Sequence, residues 1–517
     1  MNVLLLSIDS LRWDVLGAYR DEPAGFGYAV DTPNLDGFAD RATVFETHYA
    51  GSLPCMPARR EWLTGTQEFL WRSWGPVEPF DQPLARVARR TGVLTGFVSD
   101  HYHYFQHGSN GYYQDFNGWE LVRGHEWDAF RTTPRAPADE AFRRQLNAGE
   151  PDDLDLLNRV VYARNTVDLA DEADYFAPRV FTRTAEWLSH NREWDRWFCY
   201  VDSFDVHEPF DVPEPYASMY TDEDPTDPDL PVWPFYGRVD AAGETGQSAL
   251  GGDASLTDRQ LDFVRAQFAG KTTMVDTWFG RVLDTLDEEG LWDDTAVIVT
   301  SDHGHFLGDH GWMGKPYAPM YDVLARTPLL VWHPESPRRG ESVDALTSAV
   351  DVYATVLDLL GVETPDGAGP HSRSLAPLLA GETEIHRDWA LYGYWGSSVN
   401  VTDGTYTYLH PCDADRPAVT YSTTMMNPYP RQFRDPEPKP DAEPTTVPYA
   451  DAPVWRFETP AHSRQDDPML FDVSVDPDQR NDLAGESPAE DRMRGLLIEG
   501  LDALEAPEEQ YRRLGLA

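Results

Sequence analysis

Four apolar runs in this chain end in the same way. Residues 3–8 run into Asp9, and residues 93–99 run into Asp100 and His101. Residues 197–201 lead to Asp202 and on to His207, and residues 295–301 lead to Asp302 and His303. A short unbroken apolar run is the pattern of a strand buried on both faces, as in a parallel sheet. In open α/β sheets ligands bind beyond the carboxyl ends of such strands. Four strands that each deliver carboxylates or imidazoles at that end predict one shared site. The stretches between them read as helices. These are residues 82–90, residues 258–289 as a pair interrupted by Gly270 with Thr257 as N-cap, and residues 350–360 closed by Gly361. Such alternation predicts a doubly wound α/β domain.

A chain of 517 residues is long for a single core. Its texture changes near residue 388. Residues 388–394 and 406–409 read as short antiparallel strands, with a turn at Asp403-Gly404. Residues 427–453 are Pro-rich and read as a loop, and residues 489–504 read as a final helix. The expected organisation is an α/β domain over 1–387 and a smaller α+β subdomain over 388–517. Residues 105–160 and 210–255 read as irregular, either walls of a substrate site or acidic surface insertions.

Charge narrows the partners. The chain carries 88 acidic residues against 42 basic ones, a net charge of −46. Such a surface repels nucleic acid and anionic membranes. The acidic residues are scattered instead of forming one block, and arginine far outnumbers lysine. That favours a solvated acidic coat, as in a halophile's salt-rich cytoplasm, over a docking face for a cationic partner. Three sparse cysteines make no disulfide framework. Cys199 reads as a small core residue, and Cys412 shows no chemistry. No signal-peptide pattern opens the sequence and no apolar run is long enough for a bilayer, so a cytoplasmic location is expected.

The string from Ser301 to Lys315 packs three histidines, two aspartates and four glycines just after a buried strand. With Asp9 from another strand end, Asp302 and His303 offer hard donors for a divalent cation. Cys55 sits in Leu53-Pro54-Cys55-Met56-Pro57-Ala58-Arg59, followed by Thr64-Gly65. Pro57 suits the first turn of a helix starting at residue 55 or 56, and a helix N-terminus favours an anion beside it.

The Cys-x-Pro-x-Arg core resembles the signature of the formylglycine-dependent sulfatases. Further landmarks match that family. They include the opening strand with Asp9-Ser10 and Thr32-Pro33-Asn34, the segment Asp205-Val206-His207-Glu208-Pro209-Phe210, and the Asp302-His303-Gly304 loop running to Lys315. Leu470-Phe471-Asp472 resembles the family's structural C-terminal motif. The resemblance implies an alkaline phosphatase-like fold: a large, mixed, mostly parallel sheet flanked by helices, plus the smaller C-terminal subdomain. It implies that Cys55 is oxidised to formylglycine by a maturation enzyme. The hydrate of that aldehyde attacks the sulfur of a sulfate ester, and its second hydroxyl then expels sulfate. Asp9, Ser10, Asp302 and His303 would bind one divalent metal, with calcium expected first and magnesium, manganese or zinc as alternatives. Arg59 would hold the hydrate and Lys315 the sulfate. Asp309 and His310 would support the loop, His310 standing as a possible neighbour of the metal ligands.

His207 is the candidate to protonate the leaving alcohol, because imidazole titrates near neutrality; Lys315 is the alternative acid. Three positions depart from the family. Ser10 stands where many members carry a second aspartate, His305 where most carry glutamate, and Trp71-Arg72 where many carry substrate-binding His-Gly. Arg72 could replace that positive charge. His101 and His103 either face the substrate or pack among neighbouring aromatics. A sulfated carbohydrate is the preferred substrate, with Tyr112, Tyr113, Phe116 and Trp119 either stacking on it or lying in the core. Three competing readings remain. They are a phosphonate monoester or phosphodiester hydrolase of the same superfamily, a non-catalytic binding protein on the same fold, and a hydrolase using unmodified Cys55.

Overall fold

A computed structural model describes residues 1–517 except 107–108, 133–139, 148–156, 240–245, 248–252, 255, 316–318, 426–438 and 460–464. Residues 427–438 of the Pro-rich stretch, and parts of 105–160 and 210–255, lie outside the described residues. The main sheet has eight strands: β1 (Asn2–Ile8), β2 (Thr43–Phe45), β3 (Leu94–Ser99), β4 (Gly118–Leu121), β5 (Trp197–Ser203), β6 (Thr295–Thr300), β7 (Leu329–Trp332) and β8 (Ser342–Val343). Their spatial order is β8-β2-β7-β6-β1-β5-β3-β4. The pairs β6–β1, β1–β5, β5–β3 and β3–β4 are parallel, whereas β7 runs antiparallel to both β6 and β2. The sheet is mixed and mostly parallel.

Alternation within the strands divides the core. Leu4, Leu6, Val98, Val201 and Val299 point to one face, where they meet Phe263, Val264 and Phe268 of the long helix. Val3, Leu5, Phe97, Tyr200 and Ile298 point to the other, against Met56 and Trp62 of helix Cys55–Thr64. A strand with both faces covered needs apolar residues at every position, which is why these runs carry no polar alternation. Cys199 lies in the first of these layers, fully buried.

The stretch expected to be two helices is one. Asp258–Glu288 is continuous over 31 residues, opened by a reciprocal cap in which Gln260 N reaches Thr257 Oγ1 at 3.2 Å and Thr257 N reaches Gln260 Oε1 at 2.9 Å. Gly270 does not break it. A Cβ there would meet the Tyr216 carbonyl oxygen at 2.4 Å, so the glycine serves close approach of a crossing loop.

After residue 388 the chain builds a smaller sheet from Ala390–Tyr394, Val399–Thr402, Tyr406–His410 and Met469–Asp472, with Gly404 in the expected turn at φ 86°. Its other edge is Ser52–Leu53, paired parallel to Gly393 and Tyr394. The segment entering Cys55 is therefore held by the small sheet. The Pro-rich stretch is not simply a loop. Glu443–Val447 and Ala452–Thr459 are strands of a three-stranded sheet with Ala418–Ser422. Pro444 is accommodated because its strand lies at the edge, where a missing N–H leaves no ladder bond unmade.

Candidate active site

The carboxyl ends of β1, β5 and β6 converge as the apolar runs imply. Register places Ser7 beside both Asp202 and Thr300, so Asp9, Asp202 and Asp302 lie at one edge. Helix Cys55–Thr64 points its N-terminus at them. Asp9, Cys55, Asp302 and His303 each offer a ligand atom, all within 4.8 Å of one another, and all four are buried. Cys55 Sγ lies 3.3 Å from His303 Nε2. His303 Nδ1 lies 2.8 Å from the Gly304 carbonyl, so Nδ1 carries the proton and Nε2 presents a lone pair. Burial, against the pull of Asp302, lowers His303 to about 4, keeping the ring neutral as a ligand must be.

Arg59 ties the carboxylates together. Its Nη2 is 2.9 Å from Asp9 Oδ2 and its Nη1 2.5 Å from Asp302 Oδ2. Asp202 takes Nε and Nη2 side-on, each at 2.8 Å. Nη1 also donates to the Cys55 carbonyl at 3.1 Å. Burial and the neighbouring Asp302 push the Asp9 carboxyl up. For Asp302, burial is outweighed by His303 and Arg59, which hold it below the usual carboxylate range. Ser10 adopts a left-handed backbone at φ 60°. Its N–H donates to Asp302 Oδ1 at 3.0 Å and its Oγ to Asp9 Oδ1 at 2.7 Å. Two carboxylates, one neutral imidazole and one hydroxyl form a hard donor set that fits a divalent cation.

The unmodified thiol is a poor nucleophile here. Burial, then the charge of Asp9, raises Cys55 well above an ordinary cysteine, and Lys315 and Arg59 do not reverse it. A thiolate hydrolase needs the opposite environment.

Lys315 stands on the other side of Ser10, its Nζ 3.3 Å from Ser10 Oγ and 3.9 Å from Glu208 Oε2. Burial opposes its charge, but Glu208, Cys55, Asp9 and Asp302 hold its pKa above that of an ordinary lysine. Glu208 also receives His305 Nε2 at 3.1 Å. His305, standing where the family usually has glutamate, thus answers a glutamate contributed by another loop.

His207, the candidate acid, is buried beside Glu208. Its Nδ1 is 2.7 Å from the Glu208 carbonyl, which makes Nδ1 the protonated nitrogen. Burial, then Lys315, lowers its pKa well below the usual histidine value. The resting ring is neutral with a bare Nε2. Nε2 is then the nitrogen left to accept a hydrogen bond.

His101 and His103 are both buried. His101 stacks on Phe204 at 4.1 Å, with Nδ1 3.3 Å from Asp202 Oδ2. His103 reaches Gln106 and Glu126 and packs edge-on to Trp74. His101 therefore joins the cluster through Asp202, while His103 sits one shell outward. Arg72 does not join it. Glu78 at 3.0 Å, Glu68 at 3.4 Å and the Tyr449 hydroxyl claim its guanidinium beside the C-terminal sheets. Asp309 supports the loop as expected, pairing with Arg12 at 2.8 Å, whereas His310 stacks on Tyr321 at 3.7 Å. Tyr112 and Phe116 are core residues, but Trp119 is 48% exposed and packs with Phe105 and Tyr113 on the outermost strand.

Asp202 is the residue that sequence reasoning named as a strand end but gave no role. Besides Arg59 and His101 it accepts Ser7 Oγ at 2.6 Å and Tyr104 OH at 2.7 Å. Its signal was the same as that of Asp9, an aspartate closing a buried strand.

The sulfatase family's sequence profile matches residues 1–362. The chain belongs to the sulfatase family. Among curated relatives, it is 27% identical over 473 residues to the multifunctional alkaline phosphatase superfamily protein PehA of Trinickia caryophylli, covering 79% of this chain and 87% of that one. It is 24% identical over 404 residues to an arylsulfatase of Clostridium perfringens, covering 75% and 80%. Among solved structures, the phosphonate monoester hydrolase of Agrobacterium radiobacter aligns with a TM-score of 0.63 at 23% identity, over 98% of this chain and 95% of that one. The sulfatase thus has the alkaline phosphatase-like α/β fold, and it is a sulfuric ester hydrolase. Among the described residues, none of its helices is long and apolar enough to cross a membrane.

Proposed function

We propose that this sulfatase hydrolyses the sulfate ester of a sulfated carbohydrate, with residue 55 acting as formylglycine and one divalent cation held by Asp9, Asp302, His303 and Ser10. The observation that carries this reading is the placement of Cys55 Sγ 3.3 Å from His303 Nε2, inside a four-residue donor cluster. A bound cation would neutralise the sulfate and polarise its oxygens, and formylglycine would supply a hydrated aldehyde in place of a disfavoured thiolate.

The chain's own residues account for the rest. Arg59, fixed by Asp202, holds the start of the nucleophile helix against the carboxylates. Lys315 carries a positive charge toward the sulfate oxygens and has a proton for the leaving alcohol. Glu208 and His305 keep that ammonium in place. His207 offers Nε2 as an acceptor to a hydroxyl of the nucleophile or substrate.

A second reading has specific support. Ser10 leaves the donor set one carboxylate short of many sulfatases, and the fold also aligns with a phosphonate monoester hydrolase. Parallel assays on aryl sulfate, phosphonate monoester and phosphodiester substrates decide between them. Sulfate turnover with kcat/KM well above the other two supports the proposal. A phosphonate or phosphodiester preference replaces it.

A further inference from the structure

Lysine is rare here: the chain has three, Lys271, Lys315 and Lys439. Lys315 is in the site. Lys271 lies midway along the helix Asp258–Glu288 and is also fully buried. Its Nζ is 2.5 Å from Asp205 Oδ1, 2.6 Å from the Pro209 carbonyl and 3.0 Å from the His207 carbonyl. An ammonium has three protons in tetrahedral array, and here three acceptors surround it. All three belong to the turn that carries His207 and Glu208.

The partners of Lys271 are themselves fixed. Asp205 Oδ1 also meets His125 Nε2 at 2.8 Å, and Oδ2 accepts Ala177 N at 3.0 Å. Asp100, Asp205 and His125 form a buried group whose chemistry would suit a cation, and the Lys271 ammonium already lies against it. Two further bonds tie the turn to the sheet edge, and His207 N donates to the Phe204 carbonyl at 2.9 Å. Phe204 N donates to Asp100 Oδ1 at 2.7 Å, and Val206 N donates to the Asp9 carbonyl at 2.9 Å. Without Lys271, the carbonyls of His207 and Pro209 lose the ammonium that donates to both.

We propose that Lys271 is a positioning residue. It clamps the 205–209 turn, holding the Glu208 carboxylate 3.9 Å from Lys315 Nζ with His207 beside it. It touches neither substrate nor the proposed cation. This role rests on the reading of His207 and Glu208 as groups that act on the substrate. A planar guanidinium cannot satisfy the same three acceptors, so arginine is not a conservative replacement, even in a chain that elsewhere prefers it.

The test uses the full-length enzyme with three variants: Lys271→Met, Lys271→Arg and the double variant Lys271→Met/Asp205→Asn, which removes the orphaned carboxylate charge. The double variant is expected to fold, with a cation affinity equal to wild type. Its kcat on the preferred ester should fall roughly a hundredfold, with a much smaller change in KM. Lys271→Arg should fail to restore kcat. A crystal structure of the double variant should show the His207–Glu208 turn displaced. A folded double variant whose turn is left in place overturns the clamp, whatever its kcat. The structural readout stands whether or not an ester is turned over. A displaced turn with unchanged kcat would instead overturn the assignment of His207 and Glu208 to the reaction.

Discussion

Arg59 and Arg60 are neighbours on one helix, both fully buried, and they end in different chemistry. Arg59 enters a cluster with Asp9, Asp202 and Asp302, beside Cys55 and a neutral His303. Arg60 pairs with Glu68 and with Asp81 at 2.5 Å, in a network completed by Arg72 and Glu78. The second network closes on protein groups. Hydroxyls of Tyr449, Ser422 and Thr423 cap it from the C-terminal sheets. The first gathers one ligand atom each from Asp9, Cys55, Asp302 and His303 within 4.8 Å. Two buried arginine networks of similar size, each with three carboxylates, thus differ in what their carboxylates converge with. The convergence on a thiol and an imidazole, and not the burial, marks the candidate functional one.

Substitutions can break that contrast. Asp302→Asn should have the largest effect. It removes a carboxylate from the donor set and should abolish stoichiometric metal binding, measured by titration calorimetry, while turnover falls more than about 10³-fold. Full activity with bound metal would show that the cluster is not the centre. Asp202→Asn should come next. It touches no proposed donor atom of the cation but loosens Arg59 and His101, so activity should fall about 10–100-fold with the metal retained. Arg60→Met should act on stability alone. Stranding Glu68 and Asp81 should cost about 3–5 kcal/mol in denaturant unfolding, and kcat per folded molecule should be unchanged. A loss of kcat there would erase the distinction between the two networks.

The smallest effect concerns Glu61 on the same helix. Burial, against the hydrogen bonds from Ser52, raises its pKa to about 8. Its Oε1 accepts Ser52 N at 2.7 Å, in the strand that leads into Cys55. A carboxyl with a raised folded pKa gives its full stability below its unfolded pKa and loses it as pH rises through about 8. Glu61→Gln should therefore gain in Tm relative to wild type as pH rises from about 5 to about 8. A constant difference across that range would contradict the assignment.

Much of this was legible in the sequence because the strands are buried on both faces. That condition writes itself as unbroken apolar runs, and the polar residue that ends each run marks the sheet edge. Asp9, Asp302 and His303 were found in this way. Cys55 and Arg59 were found through their motif. What escaped depends on three-dimensional closure. Arg72 carried charge in a region where relatives bind substrate, but its guanidinium is consumed by Glu68 and Glu78, which no local pattern shows. Gly270 looked like a break because glycine disfavours helices; its reason is a crossing carbonyl far away in sequence. The contact of His207 Nδ1 with the Glu208 carbonyl is likewise invisible in the sequence, because a free-solution pKa says nothing of it.

The most direct measurement is peptide mass spectrometry across Cys55, on active protein from its own host or produced with a formylglycine-generating enzyme. The account predicts an aldehyde at position 55, in a fraction that rises with specific activity. Active protein carrying only unmodified cysteine would contradict it.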